Sequence, residues 1–198
     1  GDGQPLLAYT CVGPGGQLQC LARPKDPSDP DLVEWVKDAS NPVIDAPPPG
    51  GNTQNFRDPT TAWKDEHTGN WLMGFGTQIN GSACITVYES TDGLKTFDLR
   101  GHLYRDATYS IFECPDLYPI ATVDGRSRAE SGIYVGKVST NGFGEGGFDM
   151  YALGTYNTTR VTFQPSSPFA RYDYGAPFYA SKTFYDKPRD RQVLWRKI

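Results

Sequence analysis

Residues 70–93 read NWLMGFGTQINGSACITVYESTDG. Within them, 70–75 and 83–88 are rich in aromatic, β-branched and other apolar residues, and Ser90-Thr91-Asp92-Gly93 carries an Asp-Gly turn signal. Short strands punctuated by turns of this kind pair into antiparallel meanders. The same plan extends outward on both sides. Strands are predicted over 6–10, 18–22, 60–63, 133–138, 150–155, 178–184 and 192–195, with 64–69 as a turn cluster. Twelve Tyr, ten Phe and four Trp, set among 22 Gly and 16 Pro, fit an all-β chain of short aromatic strands. Helix-period stretches are almost absent. Residues 26–36 read as a surface excursion, with one capped helical turn as the alternative. Pro47–Gly51 reads as a stiff connector and 141–147 (NGFGEGG) as a flexible loop. Asp58-Pro59-Thr60-Thr61-Ala62-Trp63 and Cys114-Pro115-Asp116-Leu117-Tyr118-Pro119 share a plan of acidic residue, proline and strand, a weak repetition that suggests blades.

At 198 residues the chain is long enough for one domain, spanning 1–198, that buries roughly 70% of its unfolded surface. Its net charge is −4, and Lys and Arg are scattered, so no nucleic-acid partner is expected. No apolar run approaches the roughly 20 residues that span a bilayer, and no membrane partner is expected. Four cysteines without a C-x-x-C pair, and only His67 and His102, argue against a structural zinc or a His-rich metal site. Both histidines read as exposed turn residues. The glycine run 142–147 carries an acid where a phosphate would sit, so no nucleotide cofactor is expected, nor any other. Asn80-Gly81-Ser82 and Asn157-Thr158-Thr159 are glycan acceptor sequences for a chain that passes through a secretory route.

Carboxylates among aromatic neighbours are the informative residues, because they must be paired, raised in pKa or functional. Asp58 sits in Phe56-Arg57-Asp58-Pro59, Glu113 in Ile111-Phe112-Glu113-Cys114-Pro115, and Asp173 in Arg171-Tyr172-Asp173-Tyr174-Gly175. Apolar neighbours should destabilise the Glu113 anion and favour a general acid; the alternative is a buried Glu satisfied by backbone donors or one Arg. For Asp58 the alternative is a structural ion pair or a turn cap. Paired carboxylates in an aromatic-rich chain without metal ligands point to sugar chemistry. Aromatic faces pack on sugar rings, and two carboxyl groups cleave glycosidic bonds.

Arg57-Asp58-Pro59, Glu113-Cys114-Pro115-Asp116 with Tyr118-Pro119, Tyr151 to Tyr156 (YALGTY), and Arg171-Tyr172-Asp173-Tyr174-Gly175 followed by 178–186 resemble the plant-type acid invertases. These belong to glycoside hydrolase family 32, with fructan exohydrolases and fructosyltransferases. The resemblance implies a five-bladed β-propeller followed by a β-sandwich, and a retaining cleavage of sucrose or fructans by three acidic residues. The chain would hold about three blades of four-stranded antiparallel sheet, without the sandwich. It implies that Glu113 is the acid/base and that Asp58 holds fructose hydroxyls in the transition state. Arg57 would position the sugar and the carboxylates, Cys114 would tune the acid/base, and Asp173 would bear on substrate preference. A cell-wall, extracellular or vacuolar location is implied, with Pro115 favouring the cell-wall type.

The departures carry expectations of their own. The family nucleophile, in a Trp-Met-Asn-Asp-Pro-Asn-Gly type motif, does not occur among residues 1–198 and is expected upstream. A retaining enzyme needs that carboxylate roughly 5 Å from the acid/base, so the chain alone is expected to be inactive. The rival expectation is a sugar-binding remnant that does not turn over. Ala176-Pro177 stands where many invertases have a lysine, which keeps fructan-active members open; a fructosyltransferase, using the same residues with a sugar hydroxyl as acceptor, is a separate rival. Relatives continue after Trp195 as Gly-Trp, whereas this chain reads Arg196-Lys197-Ile198. An incomplete propeller exposes strand edges, so an aggregation-prone chain is expected, awaiting the remainder of its propeller and sandwich; a sharp cooperative melt of a soluble monomer contradicts this.

Overall fold

Asn80 and Gly81 both adopt left-handed dihedrals, with φ 48° and 81°, and join two nine-residue strands by a two-residue turn. Two consecutive positive-φ residues match the right-handed twist of a hairpin, which explains the Asn-Gly pair within the glycan sequence. This hairpin is the middle of a sheet in a computed structural model that describes residues 3–120, 131–142, 146–175 and 178–196.

Strands β1 (Leu7–Gly13), β2 (Gly16–Pro24) and β3 (Trp35–Lys37) form a three-stranded sheet. Next come β4 (Gly51–Arg57), β5 (Trp63–Lys64), β6 (Trp71–Ile79), β7 (Ser82–Ser90) and β8 (Asp98–Asp106), ordered β4-β6-β7-β8 with β5 added to β6. A matching sheet contains β9 (Glu113–Pro119), β10 (Tyr134–Gly142), β11 (Gly146–Asn157), β12 (Thr162–Pro165) and β13 (Ala170–Arg171). Its order is β9-β10-β11-β12, and β13 adds to β11. Strands β14 (Lys182–Asp186) and β15 (Arg191–Trp195) pair as a ribbon. All pairings are antiparallel. Two four-stranded meanders built in sequence order, flanked by smaller sheets, are the blade pattern of a partial β-propeller.

The middle strands β6 and β7 are buried on both faces, because sheets pack on either side. Leu72, Ala83, Ile85 and Val87 face Phe112, Val138, Met150 and Phe163, which fills the gap between the two large sheets. Met73, Phe75 and Tyr88 turn the other way onto Ile44 and Phe56. Each such apolar side chain contributes about 1.5–3 kcal/mol by leaving water.

Several local expectations change. Over 26–36 the alternative helical turn is not formed, and the surface excursion ends in the exposed strand Trp35–Lys37, which pairs with β2. The strand expected over 60–63 is confined to Trp63–Lys64, and the one over 178–184 begins only at Lys182. The ends of the 141–147 stretch pair as strand, Asn141 with Gly147, while 143–145 and Ala176-Pro177 lie outside the described residues. His67 occupies an exposed turn, but exposed His102 lies on β8. Cys11 and Cys20 are joined by a disulfide across β1 and β2, a pairing the sequence reading did not assign.

The first strands of the two large sheets meet at their site-bearing ends. Gly76 pairs with Arg57, and a Cβ on Gly76 would stand 2.1 Å from the Phe112 carbonyl oxygen. Only a residue without a side chain lets β6 pass this close to the start of β9. Gly76→Ala is therefore expected to cost at least about 2 kcal/mol, since backbone must move. Urea unfolding checks this; an unchanged midpoint contradicts it.

Candidate active site

Arg57 is the last residue of β4 and Glu113 the first of β9, 56 positions apart. The guanidinium donates to Glu113 Oε1 through Nη2 at 2.9 Å and through Nε at 3.1 Å. Its Nη1 donates to Gln17 Oε1, the Gln54 carbonyl and Asn55 Oδ1 at 3.0–3.2 Å, so the fork is held from the three-stranded sheet as well. Glu113 is 7% exposed. Its other oxygen, Oε2, accepts a 2.5 Å hydrogen bond from the Tyr179 hydroxyl. The carboxylate therefore meets a guanidinium and a phenol, whereas its chain neighbours Ile111 and Phe112 turn into the core. Of the two alternatives read from the sequence, a partnering arginine is present.

Asp58 follows Arg57 with φ 60°, and Cys114 follows Glu113 with φ 44°. Left-handed backbone at such residues costs about 1–3 kcal/mol and persists where surroundings over-determine it. Here each holds the other: Cys114 N–H donates to Asp58 Oδ2 at 3.0 Å, and the Cys114 thiol approaches the same oxygen at 3.6 Å. Thr10 Oγ1 accepts from Asp58 N–H at 2.9 Å, tying the turn to β1. Asp58, just past the end of β4, thereby meets the start of β9 through the Cys114 N–H. Burial, and then the Asp58 charge, pushes the Cys114 thiol up to about 12, so it remains neutral.

Arg57, Asp58, Glu113 and Cys114 thus come together from two blades. Asp173 does not join them: it is exposed, and its Oδ1 accepts from Gly175 N–H at 2.7 Å within its own turn. Tyr179 is the residue that reasoning on carboxylates missed, being 66 positions from Glu113. It lies against Gly147, where an added Cβ would stand 2.4 Å from its ring. Burial, and then its bond to Glu113, raises the Tyr179 hydroxyl, which keeps it a donor. Beside the site, Lys182 Nζ reaches Asp116 Oδ1 at 2.7 Å and the carbonyls of Pro115 and Pro59 at 3.0 and 3.3 Å. Among the described residues no group of three or more His, Cys, Asp or Glu side chains is placed to hold a metal.

Residues 1–197 match the family model for the N-terminal domain of glycosyl hydrolases family 32. The chain belongs to glycosyl hydrolase family 32. It is 39% identical to an acid β-fructofuranosidase of Vigna radiata var. radiata, over 98% of this chain and 31% of that protein. It is likewise 39% identical to the vacuolar acid β-fructofuranosidase 4 of Arabidopsis thaliana, over 100% of this chain and 31% of the relative. In structure it resembles fructan 1-exohydrolase IIa from Cichorium intybus with TM-score 0.85 and 34% identity, covering 99% of this chain and 38% of that one. The family 32 chain therefore spans about a third of the length of these relatives.

The neutral Cys114 thiol gives a direct check. Reaction with an alkylating agent follows the thiolate, and an ordinary cysteine has a pKa of about 8.5. A thiol raised toward 12 becomes reactive only as pH climbs toward that value. At about pH 8, Cys114 in the folded chain is expected to alkylate at least ~100-fold more slowly than free cysteine, as read by peptide mass spectrometry. A rate within tenfold of free cysteine contradicts the buried contact with Asp58.

Proposed function

We propose that residues 1–198 form part of the catalytic site of a β-fructofuranosidase-type glycosidase that cleaves the fructosyl bond of sucrose or a fructan with retention. The observation that carries this reading is the junction of β4 and β9, where Arg57 grips Glu113 and Asp58 accepts from Cys114. Two carboxylates, one on left-handed backbone and the other steadied by an arginine, suit a reaction in which a sugar ring develops positive charge. The names of the relatives and a solved complex of the chicory exohydrolase with 1-kestose support the same substrate class.

Glu113 protonates the departing glycosidic oxygen and then takes a proton from the attacking water. Asp58 accepts hydrogen bonds from fructose hydroxyls as charge builds on the ring. Arg57 and Tyr179 fix the Glu113 carboxyl from two sides, and Cys114 ties the Glu113 segment to Asp58. Asp173, exposed and in a tight turn, faces substrate beyond the fructosyl unit and bears on the choice between sucrose and fructan. The covalent step requires a further carboxylate nucleophile, and its family motif is not among residues 1–198. A vacuolar or extracellular setting agrees with the vacuolar relatives and with the Cys11–Cys20 disulfide.

The test uses the longest native polypeptide that carries residues 1–198, with release of fructose from sucrose and from 1-kestose as readout. Glu113→Gln, which keeps the side-chain shape, is expected to lower kcat by at least about 10³-fold with the melting temperature little changed. Asp58→Asn is expected to lose a similar amount. Wild-type turnover in either variant contradicts the assignment, and fructoside binding without turnover in the parent polypeptide replaces hydrolysis with sugar binding.

A further inference from the structure

Lys137 on β10 and Asp149 on β11 have no side-chain exposure and face each other with Nζ 3.6 Å from Oδ2. Neither has a hydrogen bond to Arg57, Asp58 or Glu113 among the described residues, yet their bonds end on the segments that flank the acid/base. Lys137 Nζ donates to the Cys114 carbonyl at 3.1 Å, to Ser139 Oγ at 3.4 Å and to the Ser181 carbonyl. Asp149 Oδ1 accepts from Ser139 Oγ at 2.5 Å and Ala180 N–H at 3.0 Å, and Oδ2 accepts from Ser181 N–H at 3.0 Å. The Asp149 main chain closes the same loop, donating to the Phe178 carbonyl at 2.8 Å.

Cys114 and Ala180 are the residues just after Glu113 and after its partner Tyr179, and both have left-handed backbone, φ 44° and 58°. One buried ion pair therefore clamps the two strained peptides on which the Glu113 carboxyl and the Tyr179 hydroxyl depend. Fully buried ion pairs of this kind are often replaceable by apolar residues without loss of stability. Burial pulls the Lys137 ammonium below the usual lysine range while Asp149 opposes the shift, so the charge depends on its partner. A pair whose hydrogen bonds converge on the acid/base segments has a use in geometry that packing alone does not require.

We propose that Lys137 and Asp149 are a positioning pair for proton delivery, holding the Glu113–Cys114 and Tyr179–Ser181 peptides in the orientation that lets Glu113 act as the acid. The proposal rests on the acid/base reading of Glu113 and is tested so that the two can fail separately. In the native polypeptide that carries residues 1–198, Lys137→Met and the charge-neutral double variant Lys137→Met/Asp149→Asn are compared with Glu113→Gln. The double variant guards against a misfolded single variant, since it leaves no lone buried charge.

The readouts are kcat/KM for sucrose, kcat/KM for an aryl β-fructoside whose leaving group departs without protonation, and amide hydrogen exchange. Expected for the folded variants is a loss of about 30–100-fold on sucrose and less than about threefold on the aryl fructoside. Exchange at the Cys114 and Ser181 amides should rise by more than about tenfold, with the β6 and β7 amides unchanged. A folded double variant with sucrose kcat/KM and exchange within about twofold of wild type overturns the proposal, as does an equal loss on both substrates. If Glu113→Gln itself shows no preference between the substrates, the acid/base reading fails. The exchange measurement then still decides whether the pair orders the two peptides.

Discussion

The ion pair between Arg57 and Glu113 is the contact on which the site depends. It joins the last residue of one blade's first strand to the first residue of the next blade's, with side-chain exposures of only 18% and 9%. Removing one partner of a buried pair leaves an uncompensated charge, at a cost of about 3–5 kcal/mol where burial is complete. An arginine is needed because a lysine cannot direct separate donors at Glu113, Gln17, Gln54 and Asn55 from one planar group. The approach itself depends on Gly76, whose bare backbone lets the two blades close to contact at Phe112.

Around that tie the chain carries several non-glycine residues in left-handed backbone: Asp58, Cys114 and Ala180. Each is held by hydrogen bonds that originate elsewhere in the fold, from Thr10 on β1, from Asp58 itself and from Asp149 on β11. These three lie in or beside the candidate site, whereas the other left-handed non-glycine residues among the described ones, such as Asn80 in the β6–β7 turn, lie away from it. The apolar cluster between the two large sheets supplies the free energy that keeps these kinks in place. Rigidity of this kind is what the proposed reaction asks of its carboxyl groups, which must be placed before substrate arrives.

The two strands of the β6–β7 hairpin were legible because they sit in the blade's middle, nearly all their residues are buried, and 71–75 and 83–88 are mostly apolar. The first and last strands of each blade were harder to read. Strand β4 (GNTQNFR) is polar because Asn52, Thr53 and Gln54 are exposed and Arg57 pairs with Gln17 and Glu113 of neighbouring sheets, and β9 (ECPDLYP) hides its pairing behind two prolines and two acids. Strand β8 has only Leu103 buried, so it offers no clear alternation. Asp58 and Glu113 stood out as acids among aromatic residues, and the arginine beside one proved to bind the other. Tyr179 could not be placed by local context, since its partner is remote. Lys137 offered a visible signal, a lone charge within Val135-Gly136-Lys137-Val138, and its burial explains why a charge stands in an apolar strand. Asp173 stood out by its aromatic neighbours, of which Tyr172 stacks with Phe178 and lies tilted against Tyr151, while Tyr174 is exposed.

The central claim is that Asp58 and Glu113 address one sugar from two blades. A crystal structure of the native polypeptide with a bound fructoside tests it most directly. The account requires the Asp58 carboxylate within about 3.2 Å of fructose hydroxyls and the Glu113 carboxyl within the same distance of the glycosidic oxygen, with Arg57 still on Glu113. A sugar bound with either carboxylate turned away from it contradicts the account.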